Sequence, residues 1–195
     1  MFSQILWSNL VACSGQKHVN PDASVVLDDE TTVEQSELNG TLITDTIPAP
    51  EFVVLNHDGS ERSRDNLMGK PTVVWFYPAA NTPGWTIQGC GFRDNFTEFD
   101  ALGVRIVGVG FATVEENHEW YVDKEFQFEL WSDTDKTLAL FYGAAESTSQ
   151  GYPSRVTKIL DAEGNLLVTY DDANFATNPF NVLEDCQYLF GSSTE

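Results

Sequence analysis

The sequence predicts an α/β domain, a central mixed β-sheet flanked by helices on both faces. Three observations lead there. Strand-like and helix-like apolar patterns alternate from about residue 47 onward. Pro71 to Tyr77 forms a continuous β-branched and aromatic run, the composition of a strand buried on both faces. The alternation closes with a hairpin pattern and a last helix, which mixes antiparallel pairs into a sheet begun by strand and helix alternation.

The domain is expected over residues 47–192. Ile47-Pro48-Ala49-Pro50 stiffens its start, because each proline fixes φ and holds the preceding residue extended. Phe52 to Leu55 reads as a strand ended by Asn56-His57-Asp58-Gly59, whose Asp-Gly is a turn signal. After the Pro71–Tyr77 strand, Thr86 to Leu102 carries Ile87, Cys90, Phe92, Phe96 and Phe99 near helical spacing and is closed by Gly103. Val104 to Val109 is a second core strand. Thr113 to Phe126 is a helix with Thr113 as N-cap and Glu116 in the capping-box position. Phe128 to Trp131, a short helix near Leu138–Tyr142, the hairpin Val156–Leu160 with Leu166–Tyr170, and a helix over Asn178–Phe190 complete the chain.

Residues 14–46 are expected to form a flexible acidic linker, since from Ser14 to Pro50 seven acidic residues face Lys17 alone. Val25–Leu27 and Thr41–Ile43 have the composition of short strands within it. In residues 1–13, Leu10-Val11-Ala12-Cys13 followed by Ser14 and Gly15 resembles a bacterial lipoprotein cleavage box, which implies lipidation of Cys13 and a place in the cell envelope or periplasm. No Lys or Arg precedes the apolar run, and the run is short for a signal. The alternative is an ordinary N-terminus on a cytoplasmic protein, and the sequence leaves both open.

Composition excludes several functions. Ten Lys and Arg against thirty Asp and Glu give a formal charge of −20, which repels nucleic acid and anionic lipid. No apolar run reaches the roughly 18 residues that a transmembrane span requires. Three cysteines, at 13, 90 and 186, are too few for a disulfide scaffold or a zinc site, so they act singly or as one pair, with Cys90 and Cys186 a candidate pair in an oxidising compartment. His18, His57 and His118 lie far apart without ligand spacing, and Asp133-Thr134-Asp135 lacks the glycine and distal glutamate of a calcium loop; no metal is expected. Glu115-Glu116 and Asp171-Asp172 read as solvated faces.

The chemistry concentrates in the connection from the central strand into the long helix, Phe76-Tyr77-Pro78-Ala79-Ala80-Asn81-Thr82-Pro83-Gly84-Trp85-Thr86-Ile87-Gln88-Gly89-Cys90. A helix start just outside a buried strand gathers unpaired N–H groups and positive dipole, which favours an anion and shifts a thiol there toward thiolate.

This stretch, together with Pro48-Ala49-Pro50-Glu51-Phe52, Gly69-Lys70, Phe92-Arg93-Asp94, Trp131-Ser132-Asp133, Tyr142-Gly143 and Arg155 through Asp161 to Gly164, resembles the peroxiredoxin family, in its bacterioferritin-comigratory or Q branch. The resemblance runs across most of residues 47–190 and implies a thioredoxin-like fold. It also implies a site with no bound cofactor. In the family a cysteine thiolate attacks the peroxide O–O bond and becomes a sulfenic acid, and a second cysteine condenses with it to a disulfide that a thioredoxin-like reductant opens. A proline shields the nucleophile, a threonine hydroxyl holds the peroxide, and an arginine stabilises the charge. By position these are Pro78, Thr82 and Arg155, with Cys90 in the resolving place.

At the place of the attacking cysteine stands Trp85. Indole offers one N–H donor and no nucleophilic lone pair, so it forms neither a sulfenic acid nor a mixed disulfide. The expectation is therefore a degenerate family member acting as a binding or accessory module, with Thr82, Trp85 and Arg155 shaping the altered pocket. Trp85 fills the former peroxide pocket or anchors a partner. The alternative is a thiol-dependent peroxidase in which Cys90 serves as the redox thiol. Cys90 also fits a third description, a small buried apolar residue on the helix's inner face.

Overall fold

The apolar run at Pro71–Tyr77 becomes the middle of a sheet. The structure, a computed structural model, describes residues 38–78, 83–171 and 173–191, without the side chains of residues 83–85. The readings on residues 1–37, Cys13 among them, lie outside the described residues.

In chain order the elements are β1 (Thr41–Leu42), β2 (Val53–Asn56), β3 (Glu61–Ser63), a 3-10 turn over Arg64–Leu67, β4 (Thr72–Phe76), α1 (Pro83–Asp94), α2 (Phe96–Ala101), β5 (Arg105–Gly110), α3 (Val114–Asp123), β6 (Glu129–Ser132), α4 (Thr137–Phe141), β7 (Thr157–Leu160), β8 (Leu166–Tyr170) and α5 (Asn178–Phe190). They build one eight-stranded sheet in the order β1-β8-β7-β4-β5-β6-β2-β3. β4 pairs parallel with β5 and antiparallel with β7, and β5 pairs parallel with β6. The sheet is therefore mixed, as the sequence predicts.

All five residues of β4 are buried, and they alternate between two cores. Val73, Trp75 and Tyr77 face a layer formed with Phe92, Phe99, Trp120 and Val182, under α1, α2, α3 and α5. Val74 and Phe76 face the other side, with Leu67, Trp131, Leu138 and Tyr142, under α4 and the 3-10 turn. The first layer is rich in rings: Trp75 lies 5.2 Å from Tyr77, 5.4 Å from Phe92 and 6.2 Å from Trp120, centroid to centroid. Tilted aromatic contacts of this kind add roughly 0.5–1.5 kcal/mol each beyond the area they bury.

Two local features depart from the sequence reading. The long helix expected over Thr86–Leu102 is two helices, interrupted at Asn95, whose side-chain amide donates to the Gly91 carbonyl (2.7 Å) and whose own carbonyl accepts from Glu98 N. A side chain that bonds nearby backbone competes with helix continuation. The charged strand β3 was not foreseen. Asp171 is exposed, as expected, and its carboxylate also accepts from Lys158 Nζ at 2.7 Å, Lys158 being a buried cation of the central hairpin. Thr113 does cap α3, accepting from Glu116 N (3.2 Å) while the Glu116 carboxylate accepts from Thr113 N (2.8 Å).

Residues 38–46, assigned by sequence to the linker, are fixed to the sheet where they are described. β1 pairs with β8, and Asp185 on α5 accepts from Asn39 N (2.9 Å), Asn39 Nδ2 (3.0 Å), Gly40 N (3.0 Å) and the Tyr170 hydroxyl. Asp185 is 1% exposed, and a carboxylate so buried is tolerable only because donors surround it. Replacing it strands those donors. Asp185→Ala should lower stability by roughly 2–3 kcal/mol in urea unfolding, with faster amide exchange at residues 39–42.

Candidate functional site

The three parallel strands β4, β5 and β6 end on one edge of the sheet, and the chain leaves that edge toward α1, α3 and α4 in turn. In open α/β sheets this carboxyl edge is where ligands bind. β4 runs on through buried Tyr77 to half-buried Pro78. Thr82 lies outside the described residues. Trp85 sits in the first turn of α1 by its backbone. β7 runs antiparallel to β4, with Thr157 opposite Trp75 and Phe76 N donating to Val156 O at 2.9 Å, so Arg155 falls at the same edge. The backbone thus gathers Pro78, the turn bearing Trp85, and Arg155 at one end of the two central strands.

Arg155 is exposed, and its guanidinium carbon lies 5.3 Å from the centroid of the Phe175 ring. That is a cation–π distance. Its carbonyl accepts from Ala173 N (3.2 Å), which ties the segment before α5 to the same edge.

Cys90 is 4% exposed, whereas Cys186 is a free thiol with no exposure. The Cys90–Cys186 pair that the sequence left open is therefore not formed. Burial pushes the Cys186 thiol well above its ordinary range, so it is an inert core residue. Cys90 is held on the inner side of α1 in the third turn, away from the helix start where a thiolate would gain most from the dipole.

α1 rests on the sheet through close packing and a buried polar contact. A side-chain carbon at Gly89 would meet the Phe126 ring at 2.8 Å, and one at Gly91 would meet Pro179 at 2.7 Å, so both must lack one for α1 to approach. Beneath the helix, Gln88 Nε2 donates to Asn178 Oδ1 (2.8 Å), which also accepts from the Thr157 hydroxyl (2.9 Å). Gln88 Oε1 and Asn178 Nδ2 are buried with no partner among the described residues, a cost the packing around them carries. Sequence reasoning missed this contact. Its one visible signal is Gln88, a polar residue four positions before buried Phe92 on the inward side of the helix.

Farther along the edge, Asp133 follows β6 and is fully buried, accepting from Leu138 N (3.2 Å) and Ala139 N (2.8 Å) at the start of α4. Tyr77 donates its hydroxyl to Asn117 Oδ1 (2.6 Å), and Asn117 donates to Ser132 Oγ (3.1 Å), linking β4, α3 and β6. Burial pushes the Tyr77 phenol far above its ordinary value, so it stays protonated. The fold also brings together His57 and His118, whose rings lie 6.5 Å apart. Among the described residues no group of three or more His, Cys, Asp or Glu is arranged to hold a metal ion.

The AhpC/TSA family model matches residues 46–169. The chloroplastic peroxiredoxin Q of Oryza sativa subsp. japonica is 32% identical over 124 residues, which cover 64% of this chain and 57% of the rice protein. Peroxiredoxin Bcp of Escherichia coli K12 is 31% identical over 129 residues, covering 64% of this chain and 83% of that one. The match thus spans a little over half the length of the rice relative and most of the bacterial one. Among solved structures, peroxidoxin BcpB from Mycobacterium tuberculosis superposes with a TM-score of 0.67 at 26% identity, over 74% of this chain and 96% of that one. The thioredoxin-like arrangement expected from the sequence is the one these neighbours share.

Burial outweighs the two N–H donors at Asp133 and lifts its carboxyl from 3.8 to about 6. A carboxyl whose folded value is raised stabilises the fold when protonated, and that contribution is lost as pH climbs. Asp133→Asn removes the titration. The stability of the variant relative to the parent should therefore rise by about 1–3 kcal/mol between pH 3.8 and about 6, measured by urea unfolding across that window.

Proposed function

The chain belongs to the AhpC/TSA family, in its peroxiredoxin Q and Bcp branch, and from that premise we propose a protein that has lost the two-cysteine peroxide cycle and acts as a binding or accessory module. One observation carries the reading: residue 85, where the resemblance puts the attacking sulfur, is tryptophan. Peroxide reduction needs a thiolate that can give up an electron pair to oxygen, and an indole cannot. The surroundings support it. Cys90 is buried in the third turn of α1, so it is not presented to a peroxide at the helix start. Pro78, Thr82 and Arg155 keep the residue types of an anion-holding pocket, which suits a module that retains a ligand-sized recess without the reacting atom.

A second reading has one observation in its favour. Cys90 lies on α1, the helix whose first turn carries Trp85, so a peroxidase using Cys90 as its redox thiol, recycled by a thioredoxin-like reductant, is the competing assignment.

Peroxide consumption separates them. The purified chain with a thiol reductant should consume hydrogen peroxide no faster than the reductant alone; turnover abolished by Cys90→Ser would establish the second reading instead. Trp85→Cys, if the recess is otherwise intact, should introduce a thiol of depressed pKa, read by pH-dependent alkylation, and with it a measurable peroxidase rate.

Anchoring belongs to the same proposal. Lipidation of Cys13 would place the module at the cell envelope, and a cytoplasmic protein would carry none. The mass of the Cys13 peptide from the native host reads the outcome directly, as an acylated peptide or an unmodified one.

A further inference from the structure

A stripe of β2 and a stripe of α3 face each other and close at one end only. On β2, Val54 turns into the core while Val53 and Leu55 point to the other face and remain 65% and 41% exposed. His57 continues that stripe just beyond the strand, accepting from Leu130 N at 3.4 Å. On α3, positions 114, 118 and 121 share one side by helical spacing. His57 stacks on Tyr121 with ring centroids 3.8 Å apart, which shuts one end. The other end opens as a groove of about 280 Å³ whose walls include Val53, Leu55, Val114, Thr113, Thr134 and Asp135. Apolar side chains left this exposed on a sheet face mark a place where something else is buried.

Charge selects the occupant. A second copy would set −20 against −20, and the acidic residues 14–46 of the chain itself would meet the same repulsion. Asp135 lines the groove, and Glu115 and Glu116 occupy the first turn of α3 beside it. The arginines of the neighbouring β3 and 3-10 turn are committed, Arg62 to Glu129 (2.6 Å) and Arg64 to Glu51 (3.0 Å). β2 is hydrogen-bonded to β6 on one side and β3 on the other, so no backbone edge is open for strand addition.

We propose that this groove docks an extended segment of a partner protein through side chains alone, with apolar residues at alternate positions flanked by Lys or Arg. Val53 and Leu55, two residues apart on one strand face, match the spacing of such a segment, and Asp135 with the α3 acids meets its cations. The inference stands whether or not the chain turns over peroxide, because the groove's walls come from β2, the start of α3 and the segment at the end of β6.

The test titrates the full chain with the synthetic peptide acetyl-Lys-Leu-Lys-Val-Lys-Leu-amide, followed by backbone amide shifts at about 0.15 M salt, where attraction between charges beyond roughly 8 Å is screened. Shifts are expected at residues 53–57, 113–121 and 132–135. Leu55→Ser and Asp135→Asn should each weaken binding, the first about tenfold, while Val122→Ser, an exposed position of α3 outside the groove, leaves it unchanged. The proposal is overturned if Leu55→Ser binds as the parent does, if a peptide with Ser in place of Leu and Val binds equally, or if no peptide binds. It is also overturned if sedimentation shows the chain pairing with itself through the same residues.

Discussion

The position of the candidate site depends on a strand with no exposed side chain. β4 is buried on both faces and bonded on both edges, to β5 and to β7, so neither its height nor its register can shift without moving two cores. A one-residue slip would exchange Trp75 for Val74 or Phe76 in the ring layer under α1. Because β4 is fixed, the point where the chain leaves it is fixed. The antiparallel pairing with β7 then brings Arg155 to that same point from some eighty residues away in sequence.

The ring layer turns this rigidity into a demand on α1. Trp75, Phe126 and Pro179 leave so little room that α1 carries glycine at 89 and 91, residues that weaken a helix on their own. Helix formation there rests on tertiary packing rather than on propensity. The same layer leaves the indole N–H groups of Trp75 and Trp120 buried without partners among the described residues, so shape complementarity outweighs hydrogen bonding at its centre. Held from below in this way, α1 keeps its place through its contacts at Gln88, Gly89 and Gly91.

The legible parts of the sequence were those whose signal is local and periodic. β4, the closing hairpin, the Thr113 cap and α5 all follow from apolar period or a capping pair. β3 did not, because Glu61-Arg62-Ser63 has no apolar phase and owes its strand to β2 and to Arg62 reaching Glu129 across it. The interruption at Asn95 was hidden by apolar residues that keep nearly helical spacing through it. At the site, the bond from Gln88 to Asn178 spans ninety positions and leaves no pattern. The meeting of His57 with Tyr121 is likewise a product of sheet order. Strand β2 lies beside β6 only in three dimensions, so a groove between β2 and α3 has no counterpart along the chain.

Among the described residues the sheet ends in β1, two residues long, and β3, three residues long and charged. Their outer backbone groups offer an incoming polypeptide too short a row to register against, and the charges of β3 penalise a like neighbour. Such a molecule resists end-to-end stacking into fibrils even at high local crowding, a useful property for a protein whose central strand is otherwise as apolar as an amyloid core.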